Sequence, residues 1–119
     1  MQEKQLVVLV ADPTHLHFAP QIAKEMADSA AKRGTGIAKR SVLYLQQKMS
    51  RGEAVIALHL PPGEAPRWAG FCYIETWQHG RYVANSGLIV SPEYRQYGLA
   101  KRIKRKAFEL SRKRYPNAK

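Results

Sequence analysis

Little in this sequence can cross-link it. The one cysteine, Cys72, leaves no internal disulfide and no set of partner thiols for a structural zinc site, so stability has to come from packing. His15 and His17 stand two apart on an expected helix and do not share a face, which discounts a metal pair. No apolar run approaches the roughly 20 residues needed to cross a bilayer, and MQEKQ followed by a short apolar stretch shows no signal-peptide cleavage pattern. A cytoplasmic protein with no membrane partner is expected. Internal repeats, low-complexity segments and recognisable nucleic-acid-binding motifs are also missing. Acids are scarce, 9 against 20 Lys plus Arg, for a net charge of +11 in 119 residues. With 45% hydrophobic and 24% charged residues, the composition is that of one soluble globular domain, 1–119, and not of a disordered chain.

The excess charge is concentrated. Residues 95–119 hold 10 Lys or Arg and one acid, Glu109, a net of +9, whereas residues 1–94 hold 10 bases and 8 acids, a net of +2. Such a block calls for a polyanion: nucleic acid, an anionic membrane surface or a phosphate-rich cofactor.

Residues 5–11, QLVVLVA, read as a strand that ends at Asp12-Pro13, a helix N-cap followed by proline at the first helical position. From Thr14 to about Arg33, Leu16, Ala19, Ala23, Met26, Ala27 and Ala30 recur at three- and four-residue steps and predict an amphipathic helix, stopped by Gly34-Thr35-Gly36. Ser41 caps a second helix through about Met49, closed by Gly52. Residues 53–60, Trp68 to Trp77 and Tyr82 to Val90 read as three strands, the last two joined in a hairpin through Gln78-His79-Gly80-Arg81. Pro92 breaks the last strand, and a helix runs from near Gly98 to about Arg114 with Leu99, Ile103, Ala107 and Leu110 as its apolar stripe. The expected order is strand, helix, helix, three strands, helix, an α/β (α+β) unit.

The segment Leu88 to Ala100 carries the most chemistry: an apolar strand, a loop and the start of a basic helix. Backbone N–H groups at a helix start have no intrahelical partners, and the helix dipole favours an anion there. Gly98 allows a pyrophosphate close to the backbone, Ala100 does not obstruct it, and Arg95, Lys101 and Arg102 add positive charge around the nest.

Arg95-Gln96-Tyr97-Gly98-Leu99-Ala100 resembles the acyl-CoA-binding motif of the GNAT acetyltransferase superfamily: Gln or Arg, two residues, Gly, one residue, then Gly or Ala. The preceding Val90-Ser91-Pro92-Glu93-Tyr94 and the order of elements agree with it. The resemblance implies a mixed, mostly antiparallel sheet flanked by helices, with acetyl-CoA as co-substrate and no metal. In that reading the backbone of Gln96, Tyr97, Gly98, Leu99 and Ala100 holds the CoA pyrophosphate. The strand at Leu88, Ile89 and Val90 pairs with the pantetheine arm, and an amine attacks the acetyl carbonyl directly. Family members continue past the basic helix into a fifth strand and beyond, where the tyrosine that often acts as general acid lies. The resemblance therefore implies completion of the sheet beyond Lys119, by more of a longer chain or by a second chain, and a homodimer through the open edge is one form of this.

The stretches Ala31 to Ser41 and Trp68 to Trp77 are similar to those of short bacterial GNAT proteins assigned as N-acetylglutamate synthases of arginine biosynthesis. That resemblance implies L-glutamate as acceptor, with Arg33, Lys39 and Arg40 holding its carboxylates; on residue chemistry alone these are equally an exposed basic loop. Glu75 is the first candidate for the base, with an exposed strand-end carboxylate as the other reading. Asn85 and Ser86 interrupt an apolar strand beside Gly87, either as polar contacts in the site or as structural hydrogen-bonding groups. Other amine acceptors, such as a protein N-terminus, lysine or an aminoglycoside, remain open. From a different class, so does a basic nucleic-acid-binding module, against which stands the placement of the aromatic residues mostly in strands rather than among the C-terminal charges.

Overall fold

The computed structural model describes residues 5–33 and 40–118. Leu6–Val10 forms β1, Ala19–Arg33 α1, Val42–Ser50 α2, Ala54–His59 β2, Arg67–Trp77 β3, Tyr82–Val90 β4 and Leu99–Arg114 α3. The order is the expected one, with one local difference. Residues Pro13–Phe18 form a 3-10 helix instead of the first turns of α1. Pro20 explains this: it has no N–H to give the Leu16 carbonyl four residues back, and its ring would clash there, so a continuous α-helix cannot run through residue 16 to residue 20. Asp12 caps the 3-10 turn, its carboxylate accepting from the Thr14 N–H while its own N–H donates to His15 Nδ1. His15 is thereby a capping residue.

All four strands pair antiparallel, in the order β1-β2-β3-β4. Both faces of the sheet are covered. Ala54, Ile56 and Leu58 of β2 point to the face packed by α1 and α2, together with Ile22, Met26, Leu45, Met49, Phe71 and Tyr73. Val55 and Ala57 point the other way, to Leu99, Ile103, Ala107 and Leu110 of α3. A strand sandwiched this way is apolar on consecutive residues, which is why β2 reads as an unbroken hydrophobic run.

Two irregularities shape the sheet. β3 carries an extra residue between Trp68 and Gly70 relative to β2, and β4 carries one opposite Cys72, where Gly87 and Leu88 stand against a single β3 residue. The second falls in the strand that leads into the expected CoA loop. Among the described residues β4 pairs with β3 alone.

Candidate active site

The loop after β4 makes one 3-10 turn, Pro92–Tyr94, and four further residues before α3 begins. Its root is moored: the Ser91 N–H donates to the Ala69 carbonyl at 2.8 Å and the Tyr94 N–H to the Ser91 carbonyl at 2.9 Å. Gly98 stands at the N-cap of α3 with φ +68°, offers the helix no capping side chain, and has nothing within 4 Å of where a Cβ would stand. Among the described residues the opening N–H groups of α3 have no acceptor, at the positive end of the helix dipole. Gln96, Tyr97 and Lys101 are exposed around this opening. Arg102 is exposed too, with Nη2 donating to the Leu6 carbonyl at 3.2 Å. Arg95 is turned toward α1: its Nε donates to the Val90 carbonyl at 3.1 Å and its Nη2 lies 3.6 Å from Glu25 Oε2.

At the β4 bulge Gly87 has φ +65°, and a Cβ there would come within 2.3 Å of Tyr73 Cε1 and 3.1 Å of Met26 Cε. Glycine is required twice over, for its dihedral and for the Tyr73 ring against it. The bulge interrupts the ladder next to the edge where the resemblance puts the thioester.

A cluster of charged and aromatic side chains gathers beside the bulge on the α1/α2 face. Ser41 caps α2, accepting from the Tyr44 N–H at 3.0 Å, and Leu45 and Met49 press the helix onto the sheet. That leaves Tyr44 and Lys48, one turn apart, over the end of β3. Arg40 Nε donates to the Tyr73 hydroxyl at 2.8 Å and Nη2 to Glu75 Oε1 at 3.0 Å, and the Tyr44 hydroxyl donates to the same Glu75 oxygen at 3.1 Å. The guanidinium lies 4.8 Å from the Tyr44 ring centre, and Lys48 Nζ donates to the Ile74 carbonyl at 2.7 Å. Burial, reinforced by the Glu75 charge, pushes the Tyr44 hydroxyl up to about 12. Burial likewise raises Tyr73 against the opposing pull of Arg40, and the hydrogen bond to Tyr73 raises Arg40. Both phenols are thus neutral hydrogen-bond donors at physiological pH. Of the five guanidinium N–H groups of Arg40, two are used within the described residues, which leaves donors for a carboxylate.

No protein-family model and no curated protein matches the sequence. Solved structures do match. N-acetylglutamate synthase from Neisseria gonorrhoeae, complexed with coenzyme A and N-acetyl-glutamate, aligns at TM-score 0.67 and 20% identity over 94% of this chain and 24% of that one. A GCN5-related N-acetyltransferase from Kribbella flavida aligns at TM-score 0.63 and 19% identity over 93% of this chain and 28% of that one. The chain has the GNAT fold. A Staphylococcus aureus protein described as a GNAT family acetyltransferase aligns at TM-score 0.59 and 17% identity, over 91% of each chain. The chain thus spans about a quarter of the first two relatives.

Within the GNAT fold the expected site residues separate into groups. Gly98, Gln96, Tyr97, Ala100, Lys101 and Arg102 surround the opening of α3, while Leu99 is buried under it as the first residue of the α3 stripe. Leu88 and Val90 pack toward α3, and Ile89 toward α1. Glu75 and Ser86 share the α1/α2 face, because Ser86 pairs with Tyr73 and residues two apart on a strand point the same way. Asn85 pairs with Ile74, so it points to the α3 face and is exposed, apart from Glu75. Lys39 and the Arg33 side chain lie outside the described residues; of the three basic candidates Arg40 is placed, and it stands in the cluster. Sequence reasoning missed Tyr44, Lys48, Tyr73 and Glu25, and it missed that Gly87 makes a bulge. A glycine inside a strand was the available signal for the bulge. Among the described residues no group of His, Cys, Asp and Glu could hold a metal, and no helix is long and apolar enough to cross a membrane. A cleft of about 410 Å³ lies between the β3–β4 turn and residues 115–118, beyond the far end of β4 from the α3 opening; the chemistry described above is elsewhere.

Proposed function

We propose that this chain carries the acetyl-CoA-binding part of an N-acetyltransferase whose acceptor is a small amino acid, with L-glutamate preferred, as in the first step of arginine biosynthesis. The observation that carries it is the bulge at Gly87 and Leu88. One end of β4 leads to an anion-accepting helix start, and the bulge itself touches Tyr73, whose hydroxyl accepts from Arg40, itself paired with Glu75.

In this reading the loop from Gln96 to Ala100 holds the CoA pyrophosphate through backbone N–H groups, with Lys101 and Arg102 adding charge. Backbone groups freed by the bulge polarise the acetyl carbonyl. Arg40 holds an acceptor carboxylate, which sets the amine at the bulge. The amine nitrogen bonds the acetyl carbon, the carbon–sulfur bond breaks, and CoA leaves as its thiolate, which takes a proton from solvent. The proton shed by the nitrogen passes to Glu75, whose Oε1 is held by Arg40 Nη2 at 3.0 Å and the Tyr44 hydroxyl at 3.1 Å, with Ser86 on the same face. Two cations, Arg40 and Lys48, against the one acid Glu75 favour an anionic acceptor over an aminoglycoside or a lysine-rich peptide.

The test is release of CoA thiol from acetyl-CoA with a panel of amines: glutamate, aspartate, lysine, an aminoglycoside and a peptide N-terminus. Glutamate should give the highest kcat/KM, and Arg40→Lys should raise its KM about 10- to 100-fold, the loss of a charge-assisted bidentate contact. Turnover of the cationic amines with no response to Arg40→Lys would overturn the acceptor assignment.

A further inference from the structure

Beneath the α3 opening lies a hydrogen-bonded chain that the proposed reaction does not use. Tyr94, the last residue of the 3-10 turn, is 2% exposed and packs in the α3-side core, directly before the loop residues 95–98. Its hydroxyl stands 2.8 Å from His59 Nδ1 at the end of β2, and the two rings meet edge to face with centres 5.4 Å apart. The Arg67 guanidinium, which pairs with Glu64 at 3.1 Å, lies beside the same hydroxyl.

We propose that His59 is a positioning residue for the CoA loop: as the hydrogen-bond partner of the buried Tyr94 hydroxyl, it fixes the root from which Arg95 to Gly98 spring. The inference rests on the acetyl-CoA reading given above. Tyr94 N–H also closes the 3-10 turn onto Ser91, itself tied to Ala69, so rotation of the Tyr94 ring would displace the turn and the loop after it. The charged and titratable groups around the pair are Arg67 of β3, Glu64 of the β2–β3 turn, Glu93 and Tyr97 of the loop, and Arg102 of α3, whose guanidinium reaches the Leu6 carbonyl on the β1 residue paired with His59.

The experiment is calorimetric titration with acetyl-CoA, with thermal unfolding measured on the same samples. His59→Leu and Tyr94→Phe should each weaken acetyl-CoA binding about tenfold, the value of one buried hydrogen bond, and the double variant should be no weaker than either alone. His59→Asn, whose amide can hydrogen-bond where Nδ1 stands, should restore binding to within about threefold. A purely structural role would lower thermal stability in the variants and leave the affinity of the folded chains unchanged. If the wild-type chain binds and His59→Leu binds equally well, the His59 assignment is wrong while the acetyl-CoA reading stands. No saturable binding by the wild type overturns both.

Discussion

Gly87 and Gly98 have nearly the same backbone angle, φ +65° and +68°, in opposite surroundings. A Cβ at Gly87 would run into Tyr73 and Met26, while Gly98 has nothing within 4 Å of a Cβ position. The first glycine lets two parts of the protein meet. The second keeps the protein out of a space, and open room at a helix start with unpaired N–H groups is what an anion needs. The left-handed dihedral shows that a residue is special; only the neighbours show whether it serves packing or binding.

The largest effect should come from Gly87→Ala. Strain from the positive φ, roughly 1–2 kcal/mol, adds to overpacking against a buried tyrosine, roughly 1–3 kcal/mol, so denaturant unfolding should show a loss of about 2–5 kcal/mol together with loss of acetyl transfer. Gly98→Ala meets the same strain and no neighbour, so its stability loss should stay at about 1–2 kcal/mol. Equal losses at the two sites would erase the distinction.

The fold was largely legible, because its signals are local or periodic. The α3 stripe Leu99, Ile103, Ala107 and Leu110 is buried as its spacing predicts, Asp12 and Ser41 cap where expected, and the hairpin turns at residues 78–81. Alternation was less informative in β2, since both faces are buried. On α1 the seam runs through Ala19, Ile22, Met26 and Ser29, and Ala-rich composition blurred its phase enough to leave Ile22 out. The site was half legible. Its helix-start half is contiguous, from Arg95 to Ala100, whereas the acceptor half joins Arg40 and Tyr44 to Tyr73 and Glu75, more than 30 residues apart, through a register that no local pattern states. Arg95 shows the same limit: the motif places it, but a partner on α1, Glu25, decides where its guanidinium goes.

A smaller expected effect sharpens the acceptor half. The Tyr44 hydroxyl is raised to about 12 from an ordinary value near 10. Its contribution to stability is whole below pH 10 and is lost as pH rises through 12, because the unfolded chain gives up the proton first. Tyr44→Phe should flatten the decline of stability between pH 10 and 12, and an unchanged slope would mean that the Tyr44–Glu75 contact does not persist in solution. Smaller again, Tyr73→Phe should leave unfolding within about 1 kcal/mol of wild type while raising the acceptor KM, since Arg40 loses the hydroxyl that orients it.

The central claim is that the opening of α3 receives the pyrophosphate of acetyl-CoA. Calorimetric titration of the wild-type chain and of Gly98→Trp tests it most directly, with unfolding of both to confirm that they are folded. Saturable binding by the wild type and none by a folded Gly98→Trp is the predicted result; equal binding by both, or none by the wild type, would contradict it.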